Sequence, residues 1–370
     1  MPFTFAASLM TREPEGSSTL GTNHTEISVK GTRVTVPAVR VHGHTVVMPG
    51  RWLRLARFHD EEWIAGLSID DPESVIRCLQ DASPRPDIFT FAQRVSETLP
   101  KHSYAFEWED AAAIRITTYA DWWNALPRIG RKNVRRAARC GVVVERAAFD
   151  DALIRGIKEI YDETPIRQGR RFWHYGKDLE SVKRTNASYL DRSDFLAAYH
   201  NGALIGFIKV VYVDGIARIM QILSLQGHAD KRPGNALLAS AVEACCQRGM
   251  THFIYGRYSY GNKTHSPLAD FKRRNGFERI QFPRYFVPLT RKGEAAMALR
   301  LHLGLGHLLP SRLTDFLLNA RAAFHARRQR RGSRNDARGT RPSEVAAGIA
   351  LEGTDREHGA NRRNHPQRLD

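Results

Sequence analysis

Residues 195–225 read FLAAYHNGALIGFIKVVYVDGIARIMQILSL. Three runs rich in β-branched and aromatic residues are separated by Asn201-Gly202 and Asp214-Gly215, dipeptides that supply the positive φ angles of tight hairpin turns. The stretch therefore predicts an antiparallel three-stranded meander. Residues 228–249, HADKRPGNALLASAVEACCQRG, follow directly. Leu237, Leu238, Ala241, Val242 and Cys245 recur at helical spacing, so a helix lies on the sheet with Glu243, Gln247 and Arg248 outward. Its start carries Lys231, Arg232, Pro233 and Gly234. The first N–H groups of a helix have no intrahelical partner, and the helix dipole is positive there. Such a loop is a competent phosphate cradle, and equally an ordinary helix start beside two cations. These residues alone leave both readings open.

Working outward, THFIYG (251–256) predicts another strand. SPLADFKRRNGF (266–277) predicts a helix ending at Gly276, and RIQFPRYFVPLT (279–290) a closing strand. Upstream, Asp121 is expected to cap DWWNALPR, and RKNVRRAARC reads as a helix closed by Gly141. Val142–Val144 form a strand, and residues 150–164 an amphipathic helix with Leu153, Ile157, Ile160 and Tyr161 on one face. IRQGRRFWHYG (166–176) is a loop, and DLESVKRTNASYL (178–190) a further helix. These elements make one unit, 121–290.

Residues 23–120 read as a smaller α/β unit. Alternation from Glu26 to Gly50 predicts two to four short strands, Asp71-Pro72 opens a helix through Leu79, and strands follow at Ile88–Phe91 and Ile114–Thr118. Residues 1–22 and 333–370 lack an apolar period and are expected to be disordered. Residues 291–332 predict one or two basic helices interrupted by Pro310. Those helices suit packing on their own domain, or peripheral contact with an anionic membrane surface.

The chain has 370 residues, 42% of them apolar, and a net charge of +17. That balance favours anionic partners. Residues 291–370 hold 16 Lys and Arg against 8 Asp and Glu, so nearly half the excess lies beyond the folded units. The four cysteines, Cys78, Cys140, Cys245 and Cys246, form no C-x-x-C pair, which argues against a zinc site or a disulfide framework and fits a reducing cytoplasm. No signal peptide and no run of 18 apolar residues is read, so no integral membrane segment is expected. The motifs G-x-S-x-G, G-x-G-x-x-G after a strand, the Walker loop and H-E-x-x-H are missing. His42 and His44 share a strand face without a third ligand, so no metal is expected.

The succession of meander, Gly-containing loop, helix, strand and a second helix ending in Gly-Phe resembles the GNAT (Gcn-related N-acetyltransferase) superfamily. Lys231-Arg232-Pro233-Gly234-Asn235-Ala236 matches that family's Arg/Gln-x-x-Gly-x-Gly/Ala loop, with Lys at the first position as a departure. More narrowly, RKNVRRAARCGVVVE, AAYHNGALIGFIKVVYV, PGNALLASAVEACCQRG and FKRRNGF resemble the polysaccharide-cluster acetyltransferase-like and Fem-type aminoacyltransferase branch. The resemblance covers roughly 122–290. It implies an α/β (α+β) fold: a mixed, mostly antiparallel sheet flanked by helices. Since Fem-type enzymes pair two such domains, it also offers 23–120 as a degenerate first one.

The resemblance further implies that acetyl-CoA or another acyl-CoA is held by Leu223, Ser224, Leu225, Lys231, Arg232, Gly234, Asn235 and Ala236. The family's frequent tyrosine acid in Y-x-x-x-G-F is Lys272 here. Phe271-Lys272 instead resembles the Phe-Lys of Fem-type enzymes, where the cation assists an anionic transition state. Tyr258 and Tyr260 are candidate proton donors or stacking residues, and His265 a candidate general base. Arg167, Gln168, Arg170, Arg171, His174 and Tyr175 mix cations with rings, a composition suited to an acceptor with carboxylate, phosphate or sugar groups. The implied reaction is acyl transfer to an amine or hydroxyl of a sugar nucleotide, amino acid or envelope precursor. The alternatives are aminoacyl transfer from charged tRNA to a cell-wall precursor, and a non-catalytic ligand-binding module.

Overall fold

The computed structural model describes residues 23–303 except 30–31, 65, 68, 168–169 and 259–266. The expected tails 1–22 and 333–370, and most of the expected helical segment 291–332, lie outside the described residues. The strands are β1 (Asn23–Val29), β2 (Thr32–Val41), β3 (His44–Val47), β4 (Leu55–Phe58), β5 (Ile88–Ala92), β6 (Ala105–Arg115), β7 (Val143–Ala147), β8 (Ile166–Arg167), β9 (Arg170–Arg171), β10 (Ser193–His200), β11 (Ala203–Val213), β12 (Ile216–Ser224), β13 (His252–Ile254) and β14 (Glu278–Pro288). The helices are α1 (Pro72–Gln80), α2 (Tyr119–Ala125), α3 (Arg128–Arg139), α4 (Asp151–Asp162), α5 (Leu179–Asn186), α6 (Pro233–Gln247), α7 (Pro267–Arg274) and α8 (Arg291–Ala298).

The meander forms as the turn dipeptides require. Asn201, Gly202, Asp214 and Gly215 all have positive φ, between 48° and 79°. β10 pairs with β11 and β11 with β12, all antiparallel. α6 then crosses over to β13, which is parallel to β12. Twelve strands join in one mixed sheet, in the order β1-β2-β3-β4-β5-β14-β6-β13-β12-β11-β10-β7. Among the described residues only β4–β5 and β12–β13 are parallel.

That order contains a repeat. β2, β3 and β4 form a meander, α1 crosses over, and β5 lies parallel to β4. β10, β11 and β12 form the second meander, α6 crosses over, and β13 lies parallel to β12. The strand after each parallel pair is exchanged: β6 joins β13, and β14 joins β5. β6 and β14 also pair with each other over nine residues, which fuses the halves into one sheet.

Side chains of the second meander alternate between the two faces. Leu196, Ile208, Ala217 and Ile219 meet Leu237, Leu238, Ala241 and Cys245 of α6. Phe195, Ala197 and Phe207 meet Ile154, Ile157 and Tyr161 of α4 on the other face. In the first half Val46, Phe58, Leu79, Phe89 and Tyr285 form the core.

Three local expectations change. α2 is capped by Thr118 rather than Asp121: Thr118 Oγ1 accepts the Asp121 N–H at 3.0 Å. The sequence Thr-x-x-Asp is a capping arrangement four residues long, and it starts the helix earlier. The strand expected at Ile114–Thr118 begins at Ala105 instead, because β14 supplies main-chain partners along its exposed first half. The loop 166–176 contains the short hairpin β8–β9.

Candidate functional site

β12 and β13 pair at only three positions, Ile216–His252, Ala217–Phe253 and Arg218–Ile254. Beyond them β13 stays with β6: the Tyr255 N–H donates to Ala112 O, and the Ala112 N–H to Gly256 O, both at 2.8 Å. β12 stays with β11, and Met220 forms a bulge between the pairs Val210–Ile219 and Lys209–Gln221. The strands therefore part, and among the described residues one edge of β12 from Ile219 to Ser224 has no strand partner. The Leu225 N–H donates to Ile205 O at 2.9 Å, so Leu223 and Gln221 direct their main chain at β11. By the antiparallel alternation, Ile222 and Ser224 direct theirs at the open edge.

The start of α6 lies at the end of this edge. A single-turn helix, Gln226–Lys231, leads to Arg232, which has φ 60° and ψ 41° and serves as N-cap, with Pro233 at the first helical position. The positive φ in this loop falls on Arg232, a residue that adopts it at some cost. Gly234 has ordinary helical backbone, and a Cβ there would stand 3.6 Å from the Phe271 ring, an ordinary contact. Among the described residues its N–H meets no backbone acceptor, whereas those of Asn235 and Ala236 both donate to Arg232 O. Lys231 is drawn to Asp230 at 3.5 Å, and Arg232 is exposed. Asn235 faces inward: its Nδ2 donates to Asn275 Oδ1 at 2.8 Å, tying the start of α6 to the end of α7.

Lys272 is fully buried rather than part of a basic helix face. Its Nζ donates to Arg257 O and stands 4.6 Å from the centroid of the Tyr255 ring. Burial pulls its pKa down to about 8, with the Asp110 carboxylate opposing that fall. Tyr258 is half-buried beside it, and its N–H donates to Asp110 Oδ1 at 3.1 Å. Lys272, Tyr258 and Asp110 therefore gather where β13 leaves β12. Tyr260, His265 and Gln168 lie outside the described residues, as does the side chain of Arg170.

The residues expected to bind an acceptor divide. Arg171 and Tyr175 are exposed. Arg167 is engaged within the fold: it donates to Ser224 O at 3.0 Å, to Ile160 O at 2.8 Å and to Glu163 Oε2 at 3.0 Å. Glu163 in turn accepts the Gly227 N–H at 3.0 Å, so the pair braces the end of β12 and the turn before α6. His174 is buried, with its ring 3.6 Å from that of Trp173 and 4.3 Å from that of Tyr161. Burial lowers its pKa to about 4, which keeps it neutral at physiological pH.

Two features escaped the sequence reading. Asn186 Nδ2 donates to the Tyr161 hydroxyl at 3.2 Å, Tyr161 donates to Gln221 Oε1 at 2.6 Å, and Gln221 Nε2 meets His174 Nε2 at 3.2 Å. This polar chain runs beneath the open edge. Lys209 is a second fully buried lysine, donating to Asn186 O at 2.7 Å and to Ser188 O. The available signal was a polar residue inside an apolar strand, Lys209 in IGFIKVVYV and Gln221 in IMQIL. Among the described residues no group of three His, Cys, Asp or Glu gathers as a metal site, and no helix is long and apolar enough to cross a membrane.

An antiparallel meander, a helical crossover and a parallel strand that parts after three residues make a specific arrangement. The fold is GNAT-like. No family model matches the chain, and no curated protein matches it. Among solved structures it is similar to L-PGS from Bacillus licheniformis, at 16% identity, covering 70% of this chain and 86% of that one, with a TM-score of 0.47. It is similar to FemX at 11% identity, covering 71% and 88%, with a TM-score of 0.45. A tandem GNAT protein from the clavulanic acid biosynthesis pathway is similar at 12% identity, covering 69% and 83%, with a TM-score of 0.37. Likenesses at this identity say nothing of substrate.

Proposed function

We propose that the protein transfers an acyl group from acetyl-CoA or another acyl-CoA to an amine or hydroxyl of a small acceptor: a sugar nucleotide, amino acid or cell-envelope precursor. The parting of β12 from β13 beside the bare start of α6 carries this reading. Ile222 offers main-chain groups on which an extended amide-bearing arm pairs as an added strand. The Gly234 N–H, the positive end of the helix dipole and the exposed Arg232 suit a pyrophosphate. Transfer requires that the acceptor attack the thioester carbonyl, that the oxygen carry negative charge, and that the departing sulfur be protonated. Lys272 suits stabilisation of the charge, and Tyr258 suits the proton. Acyl-CoA and charged tRNA are both cytoplasmic molecules, and that is the setting proposed.

A second reading, aminoacyl transfer from charged tRNA to a cell-wall precursor, has its own support. Arg128, Lys132, Arg135, Arg136 and Arg139 on α3 are exposed, and among the described residues no ion pair involves them. Such a face suits a polyanion.

Calorimetric titration with acetyl-CoA, free CoA and charged tRNA separates the two. CoA and its thioester are expected to bind, and Gly234→Glu to weaken them at least about a hundredfold by setting a carboxylate against the phosphates. Gly234→Ala is expected to bind nearly as the native protein does, since its methyl group meets Phe271 at ordinary distance. Absence of CoA binding at millimolar concentration, with binding of charged tRNA, overturns the first reading in favour of the second.

A further inference from the structure

A cavity of about 90 Å³ lies on the sheet face opposite α6, below the point where β12 and β13 part. Its walls include Glu62, Asp214, Arg218, Phe282 and Arg284. Most of its charges are already paired. Arg284 holds Glu61 at 2.9 Å and Glu109 at 2.6 Å. Glu109 takes Arg257 at 2.7 Å on its other oxygen, and Glu61 takes the Ala92 N–H at 2.8 Å. Asp214 accepts the Gly66 N–H at 2.9 Å and faces Arg94 at 3.5 Å.

Two groups remain. Arg218 has a side chain only 14% exposed and forms an ion pair with Glu62 at 3.7 Å, and among the described residues its guanidinium makes no hydrogen bond. A guanidinium carries five N–H donors in a planar fork, which are open here to a ligand that enters the cavity. Glu62 stands at the mouth with its side chain 58% exposed.

We infer that this cavity binds the head group of an α-amino acid, its carboxylate on Arg218 and its ammonium on Glu62. A carboxylate matches the guanidinium fork in bidentate geometry. Four wall carboxylates, Glu61, Glu62, Glu109 and Asp214, disfavour a dianion such as phosphate, whereas a zwitterion brings no net charge. The volume is that of about three water molecules, so the head group enters and any side chain points to the mouth. The site goes beyond the proposed transfer and is read without acyl-CoA, so failure of one leaves the other standing.

The test titrates the full-length protein with glycine, acetate, methylamine and inorganic phosphate. Glycine is expected to bind more tightly than any of the other three. Arg218→Gln is expected to weaken glycine and acetate at least about tenfold, the effect of losing a charged bidentate pair. Glu62→Gln, a change at an exposed side chain that leaves the fold intact, is expected to weaken glycine while acetate binds equally or better. Phosphate binding as tightly as glycine, no glycine binding at millimolar concentration, or an unchanged glycine-to-acetate ratio in Glu62→Gln overturns the proposal.

Discussion

As pH rises from about 8 to 10.5, the native protein is expected to gain about 3 kcal/mol of stability over a Lys272→Met variant. The sign follows from the depressed pKa. In the unfolded chain Lys272 releases its proton near 10.5, and in the folded protein near 8. Between those values the unfolded state binds more protons, so stability rises with pH. Below about 8 both states are protonated, and folding carries the full cost of holding an ammonium group away from water. Methionine has similar length and no charge, so the variant lacks this dependence. Lys209, whose pKa burial also pulls to about 8, is present in both proteins and cancels in the difference. Urea unfolding at a series of pH values measures it. A stability difference that stays constant from pH 7 to 10.5 would place the Lys272 ammonium in a well-solvated environment. The same titration bears on the proposed chemistry. A cation that stabilises an oxyanion is present below pH 8, so turnover is expected to decline as pH passes through that value. Lys272→Met is expected to lose about a hundredfold in turnover with CoA affinity unchanged, the scale seen when one such stabilising group is removed.

The path of the second half was legible because its signals are local. Asn201-Gly202 and Asp214-Gly215 specify turns whatever surrounds them, and the apolar spacing from Leu237 to Cys245 specifies one helix face. The exchange of β6 and β14 was not legible. It depends on which distant edge each strand meets, and the first four residues of β6, AFEW, are exposed and give no apolar face to read. The same distinction runs through the site. Gly234 stands in the first turn of α6, and the positive φ beside it belongs to Arg232. Arg167 and Asn235 have the composition of ligand-binding residues, but the Arg167 Nη atoms are engaged by Ser224, Ile160 and Glu163 and the Asn235 Nδ2 by Asn275. Sequence tells which groups can make hydrogen bonds, whereas tertiary packing decides which partners they find first. Arg218 is the converse, an ordinary strand residue in IARIM whose guanidinium, among the described residues, meets Glu62 as an ion pair and makes no hydrogen bond.

Arg284→Met is expected to lower stability by about 3–5 kcal/mol at neutral pH, the cost of stranding buried carboxylates by removing their cation. Arg284 on β14 holds Glu61, in the turn after β4, and Glu109 on β6, and all three side chains are at most 20% exposed. Burial alone would raise the Glu109 pKa, but Arg284 and Arg257 outweigh it and hold the carboxyl below the ordinary range. A depressed carboxyl contributes stability that is present above its unfolded pKa and lost as pH falls through the folded value. In the variant, burial acts on Glu109 with Arg257 alone to oppose it, and protonation relieves the stranded charge. The gap between native protein and variant is therefore expected to be widest near pH 7 and to narrow as pH falls below the ordinary carboxylate value of 4.5. Urea unfolding at neutral and acidic pH measures both ends. A gap of equal size at both would mean that Arg284 acts by packing its aliphatic stem rather than by charge. Adding Glu109→Gln to Arg284→Met is expected to restore part of the loss, since it removes one stranded carboxylate directly. The size of the effect follows from where the cluster sits. β6 and β14 are the strands exchanged between the two halves, and Arg284 fastens both of them to the turn that closes the first meander.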